Sequence, residues 1–170
     1  MIVIGIDPGL TGAVAVMDHN GVRAVFDIPT MPVPGAGPKA MIKAKVDGRK
    51  LLSLLLKHCP TAEGKPTMVL EQVHARAQSN EGRGNTMQAQ ASLMRTVGAI
   101  ETVAECMNWP TTYVAPQSWK RKFGLGKEKT QSLETARRLH PEATADLKRM
   151  KDHNRAEAVL LAHFGRMEVA

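Results

Sequence analysis

Three acids draw attention by their settings. Asp7 follows Ile2-Val-Ile-Gly-Ile6, Glu71 follows Thr67-Met-Val-Leu70, and Glu157 sits inside Ala156-Glu-Ala-Val-Leu-Leu161. A carboxylate at the tip of an apolar strand, or within an apolar helical stripe, needs a partner or a metal, because burying an unpaired charge is costly. Asp152, five residues before Glu157, is a fourth candidate, with His153 as its competitor. Acids gathered in one place raise one another's pKa unless a cation is present. Hard oxygen ligands select Mg²⁺ or Mn²⁺ rather than zinc. Two such ions about 4 Å apart can activate a water and stabilise the leaving oxygen of a phosphodiester. Plainer readings stand beside these. Asp7-Pro-Gly9 is common turn chemistry, Asp152 fits a helix cap, and Glu157 could be a surface residue.

The elements that must position these acids follow from the pattern. The β-branched run Ile2–Ile6 reads as a strand buried on both faces, with Gly5 marking a close approach. Pro8-Gly9 breaks it, and Gly12 opens a second strand, Ala13 to Met17, that returns as a hairpin. Residues 21–28 follow the Asn20-Gly21 turn as a third strand, giving an antiparallel meander. The Pro/Gly-rich stretch from Pro29 to Pro38, with Lys39 to Lys45 after it, reads as a mobile loop. The leucines of 46–58 predict an apolar helix. Thr67–Glu71 comes straight after a helix, so it is expected parallel to the first strand, with Asp7 and Glu71 on one sheet edge.

Gln72 to Asn85 reads as a polar loop carrying Arg76 and Arg83. Thr86 to Met107 is the longest helical pattern, with Leu93, Val97, Ile100, Ala104 and Met107 on one face. Met87, Ala91, Met94 and Gly98 form a second face, read as more core, with a subunit interface as the alternative. A short strand at 111–115, a turn or short helix at 116–123, a Gly124–Gly126 hinge and a helix over Lys129–Leu139 follow. The last helix starts near Asp152. In an uninterrupted helix Asp152 and Glu157 lie on different faces, so Asp152 can join Glu157 only from outside the first turn. His153 and Glu157, at i and i+4, share a face.

The chain has 170 residues, 43% of them hydrophobic, which suits one globular domain spanning 1–170. A formal charge of +7 favours a polyanionic partner such as nucleic acid. Aromatics are only 4%, which argues against a protein that stacks many single-stranded bases. Cys59 and Cys106 are far apart and make neither a metal pattern nor a disulfide framework. The apolar start lacks a basic leader and is broken by Asp7 and Pro8, so the expectation is a cytoplasmic protein with no signal peptide and no membrane span.

Ile4-Gly-Ile-Asp-Pro-Gly-Leu-Thr-Gly12, Leu70-Glu-Gln-Val73 and Ala156-Glu-Ala158 resemble the RuvC-type Holliday-junction resolvases, in particular phage- and plasmid-like members. The resemblance spans nearly the whole chain. It implies a ribonuclease-H-like α/β fold, with a five-stranded mixed sheet of antiparallel meander plus parallel strands flanked by helices. It also implies a homodimer that makes paired incisions in branched DNA with two Mg²⁺ ions per site, Mn²⁺ substituting, and no nucleotide cofactor. By the same resemblance Asp7, Glu71 and Glu157 are expected as metal ligands, with Asp152 taken as the substitute for the fourth. Asp7 bridges both ions, Glu71 shares one, and Asp152 with Glu157 holds the other.

Glu157 stands where the family commonly has Asp, and the usual three-residue spacing falls on the uncharged Asn154. Asp152, or alternatively His153, is then the fourth ligand. Lys120 and Lys129 resemble residues that contact DNA beside the site, with Lys127 assisting. His74 occupies a position that is aromatic in well-known members, and it joins Arg76 as a DNA-binding candidate. The expected chemistry is in-line hydrolysis leaving 5′-phosphate and 3′-hydroxyl ends. Other readings are a ribonuclease-H-like nuclease acting on hybrids or flaps, and a non-catalytic junction binder. Asp-Pro-Gly-Leu-Thr-Gly also resembles the phosphate loop of actin-type ATPases and sugar kinases, but the chain is short for two lobes.

Overall fold

In the computed structural model, residues 1–37, 39–40, 42–74, 86–126 and 128–168 are described. At its centre is β1 (Val3–Asp7), with Val3, Ile4 and Ile6 fully buried. It pairs antiparallel with β2 (Ala13–Asp18), which pairs antiparallel with β3 (Gly21–Asp27). On its other side β1 runs parallel to β6 (Thr67–Glu71), which runs parallel to β7 (Thr111–Val114). The order β3-β2-β1-β6-β7 is the expected mixed sheet of meander plus parallel strands.

Both faces of the sheet are covered, which is why β1 reads as a nearly continuous apolar run. Ile4 and Ile6 pack with Leu51 and Leu55 of α1 (Gly48–His58) and Ile100 of α2 (Met87–Cys106). Val3 faces the other layer. There lie Trp119 of α3 (Pro116–Lys122), Leu133 of α4 (Lys129–Leu139) and Leu160 of α5 (His153–Glu168).

Two expectations are corrected. The two ends of the stretch expected as a mobile loop pair as a small antiparallel hairpin, β4 (Thr30–Pro32) with β5 (Ala44–Val46). Its base is closed by the Asp47 N–H donating to the Pro29 carbonyl at 2.8 Å, and Val46 is buried in the core beside α2. The second face of α2 is not core: Met87 is 69% and Met94 43% exposed.

The last helix is preceded by two 3₁₀ turns, Pro141–Asp146 and Met150–Asp152, so Asp152 belongs to the turn and His153 begins the helix. Among the described residues no helix is long and apolar enough to cross a membrane.

Candidate active site

Parallel pairing of β1 with β6 brings their C-terminal ends to one edge, where Ile6 stands opposite Leu70. Asp7 and Glu71 come next on their strands and share that edge. The turn after β1 is tight: a side chain on Gly12 would overlap the Asp7 carbonyl oxygen. The room that Gly12 leaves is therefore taken by the protein's own backbone. Helix α5 crosses this face, and Glu157, one turn into it, points back to the same edge. Carboxylate oxygens of Asp7, Glu71 and Glu157 all lie within 4.8 Å of one another.

The electrostatics of the trio are those of an unsatisfied cation site. Burial first, then the charges of Glu71 and Glu157, push Asp7 well above the usual carboxylate range. Lys120 and Lys129 pull it back in part. Burial likewise raises Glu71 to about 6, with Glu157 adding and Lys120 opposing. The Trp119 indole also lowers it, yet its buried Nε1 falls short of hydrogen-bond geometry with any acceptor among the described residues.

Glu157 is held from two sides. Lys120 Nζ approaches its Oε1 at 3.4 Å while lying 5.0 Å from the Trp119 ring centroid. The Ser132 hydroxyl donates to the same oxygen at 3.3 Å. Both contacts engage one carboxylate oxygen.

A cleft of about 440 Å³ opens over Asp7 and Glu157, lined also by Lys120, Lys129, Ser132 and His153, with Gly126, Glu128 and Asn154 at its walls. Three close carboxylates, with Asp7 and Glu71 raised by burial and crowding, fit a hard divalent cation. Asp7, Glu71 and Glu157 are placed so that they could hold one.

The other sequence candidates divide. Asp152 was expected beside Glu157, and the structure places it elsewhere. Its carboxylate accepts from the Arg149 backbone N–H at 2.7 Å and from the Arg149 guanidinium at 2.7 and 3.1 Å. That pairing holds Asp152 below its usual pKa and leaves it outside the converging group. His153 does line the cleft. Its Nδ1 lies 3.3 Å from the Met150 carbonyl. A carbonyl only accepts, so a hydrogen bond there uses Nδ1–H and leaves Nε2 as the ring nitrogen free to face a cation. Asn154 spends its amide on the Thr11 carbonyl at 2.6 Å, tying the start of α5 to the turn after β1.

Lys120 and Lys129 both reach the cleft. His74 is exposed and lines a groove of about 350 Å³ shared with Glu71, Met94, Gly98 and Tyr113. Arg76 and Lys127 lie outside the described residues. Ser132, Glu128 and Trp119 carry no expectation from sequence. Ser132 leaves a signal there, because it shares the buried stripe of α4 with Ala136, one turn on.

Fold and site together define a ribonuclease-H-like α/β domain with an acidic centre at the ends of its first parallel strand pair. No family model and no curated protein matches the sequence. Solved structures do match. RuvC of T. thermophilus in complex with a Holliday junction substrate aligns over 100% of this chain and 98% of its own, with TM-score 0.58 and 19% identity. A further Thermus thermophilus RuvC structure aligns over 98% and 96%, with TM-score 0.55 and 18% identity. The yeast mitochondrial Holliday junction resolvase Ydc2 aligns over 94% of this chain and 75% of its own, with TM-score 0.56 and 16% identity. The chain therefore has the fold of the RuvC-type resolvases.

Proposed function

We propose that this protein is a metal-dependent endodeoxyribonuclease that resolves four-way DNA junctions by paired incisions, acting as a homodimer. The observation that carries the reading is the convergence of Asp7, Glu71 and Glu157 within 4.8 Å at the strand-end edge of this fold. Such a group, alone, would repel DNA. With Mg²⁺ or Mn²⁺ it becomes an attractive site for a phosphodiester. Two ions per site remain the working stoichiometry.

When bound, the metal supplies Lewis-acid polarisation of the phosphate and of an attacking water. The protein's own groups do the rest. Asp7, at the hub of the trio, and Glu71 present fixed strand-end oxygens, and Glu157 offers the oxygen not held by Ser132 and Lys120. His153 Nε2 is the fourth donor we assign in preference to Asp152, whose oxygens Arg149 occupies. Lys120 and Lys129 balance the acids and hold the phosphate beside the cut. The exposed Met87 and Met94 on α2, beside the bare Gly98, support a self-complementary contact for the dimer.

The test is incubation with labelled four-way junction, flap, duplex and RNA–DNA hybrid, with and without Mg²⁺. Junction cutting at symmetric positions, with 5′-phosphate ends, is expected only with metal. Asp7→Asn should abolish cutting while junction binding survives. Preferential cutting of hybrid or flap would move the protein to another ribonuclease-H-like nuclease class. Binding without cutting under any metal would make it a junction binder.

A further inference from the structure

We infer that the β4–β5 hairpin is a second DNA-gripping arm, which holds the phosphate backbone of a duplex branch leaving the active-site edge. The inference rests on the proposed function and adds a surface to it. Its first support is position. Ala13 stands opposite both Asp7 and Asp27, so β1 and β3 end at the same edge. Two strand spacings separate those ends, about 10 Å. The hairpin starts at Thr30, three residues past Asp27, and Ile28 is tied back to the β1–β2 turn through its N–H to the Gly12 carbonyl at 2.9 Å. The arm is thus rooted beside the acid trio.

The second support is charge. From Ile28 to Val46 the sequence has Lys39, Lys43 and Lys45 and no acid. Side chains alternate along a strand. Val46 is buried in the core, so Lys45 stands on the opposite face of β5, and Lys43, just before the strand, and Lys39 are exposed. None of the three has an ion-pair partner among the described residues. The chain leaving the arm adds exposed Arg49 and Lys50 in the first turn of α1, where no acid is present. A helix N-terminus favours anions, so two cations there work against folding. Asp47 is spent on capping, accepting the Lys50 backbone N–H at 3.0 Å. A polyanion lying along the arm would relieve both groups at once.

Lys120 and Lys129 approach the trio from the layer of α3 and α4. The arm lies in the layer of α2, on the other face of the sheet. A duplex crossing the edge would therefore meet cations on either side of the scissile phosphate. An acidic protein or an anionic membrane would also meet the arm's charge, but neither is drawn to that edge by the nuclease site.

The test measures binding of a labelled four-way junction and of plain duplex across a salt series, in metal-free buffer. Two variants are compared with the wild type: Lys39→Gln/Lys43→Gln/Lys45→Gln, and Arg49→Gln/Lys50→Gln. Each lost phosphate contact should reduce the log–log salt slope by about 0.9, so the triple variant should flatten it by about 2 to 3. Affinity at low salt should fall about tenfold or more. Arg49→Gln/Lys50→Gln should bind more weakly yet melt at a higher temperature, because it removes cations from a helix N-terminus. A purely structural role would lower both together.

Wild-type affinity and slope in the triple variant would overturn the arm. Loss of binding to anionic vesicles with DNA binding intact would overturn it too. Should the wild type bind no four-way junction, the proposed function falls, and the arm is then judged by the same slopes on duplex.

Discussion

Gly5 and Ala162 touch backbone to backbone. A Cβ on Gly5 would overlap the nitrogen of Ala162 and the carbonyl oxygen of Ala158. The last helix therefore lies directly on the first strand, and the small residues Ala158, Ala162 and Gly165 continue that seam over Val3 and Val69. This close seating brings Glu157 within reach of Asp7. Gly5→Ala should force α5 outward, costing about 1–3 kcal/mol or more as overpacking does. Denaturant unfolding will read the loss. In the fraction that stays folded, Mn²⁺ should raise the melting temperature less than in wild type. A variant with full metal-induced stabilisation would show that the seam does not set the site.

Asp7 and Glu71 carry a stability penalty that depends on pH. The folded protein holds Glu71 at about 6 against an ordinary 4.5, and Asp7 is raised as well. Between those values the folded state binds more protons than the unfolded state, so metal-free stability falls as pH rises through that window. Above it the penalty is complete, roughly 2 kcal/mol for Glu71 alone. Glu71→Gln should therefore stabilise the metal-free protein at pH 8, flatten the slope between pH 4.5 and 6, and remove the stabilisation by Mn²⁺. Melting curves in chelator and in Mn²⁺ across this range check all three. Identical curves for variant and wild type would contradict the charge-crowding argument.

These two cases show what the sequence discloses. Asp7 and Glu71 are legible because a short apolar run fixes a strand and its end fixes the edge. Gly5 is legible because a glycine inside a buried strand marks a close approach. The β4–β5 hairpin is not legible, since Pro29, Pro32 and Pro34 interrupt any alternation and each strand is only three residues long. Where Asp152 points is not legible for a different reason. Its direction depends on whether the residues before α5 are helical or 3₁₀, and on whether Arg149 turns back, and neither leaves a periodic signal. The exposed face of α2 fails because Met and Ala are equally at home in core and on surface.

Ser132 should tune the metal site without touching it. It is buried, and its hydroxyl donates to Glu157 Oε1 at 3.3 Å. Ser132→Ala removes that donor and frees the carboxylate to rotate about its longer stem. Loss of such a supporting bond typically costs about tenfold in metal affinity. Mn²⁺ titration by calorimetry or by activity should show half-saturation moving up by about that factor, with little change in melting. Ala136→Gly, on the same buried face, is the control: it should cost about 1 kcal/mol of helix stability and leave half-saturation in place. A Ser132→Ala protein with wild-type metal affinity would assign Ser132 to packing alone.

Asp152 and His153 are neighbours with opposite duties, and single substitutions should separate them. Asp152 caps the turn before α5, accepting the Arg149 N–H at 2.7 Å, and is 3% exposed. Asp152→Ala loses that cap and should cost about 1–2 kcal/mol. For a domain of this size that is a fall of about 2–4 °C per kcal/mol in melting temperature. Below its own melting temperature it should still cut DNA at a measurable metal-dependent rate, because its oxygens belong to Arg149 rather than to the trio. His153→Ala should do the reverse. Among the described residues its ring hydrogen-bonds to the Met150 carbonyl alone, so folding should change little. Metal half-saturation should rise beyond the about tenfold expected of an outer-sphere change, because a ligand is lost. Cutting assays over an Mn²⁺ series, beside melting curves, give both readouts from one set of proteins. If Asp152→Ala abolishes cutting while remaining folded, and His153→Ala cuts normally, then the turn before α5 rearranges on metal binding and Asp152 leaves Arg149 to complete the site.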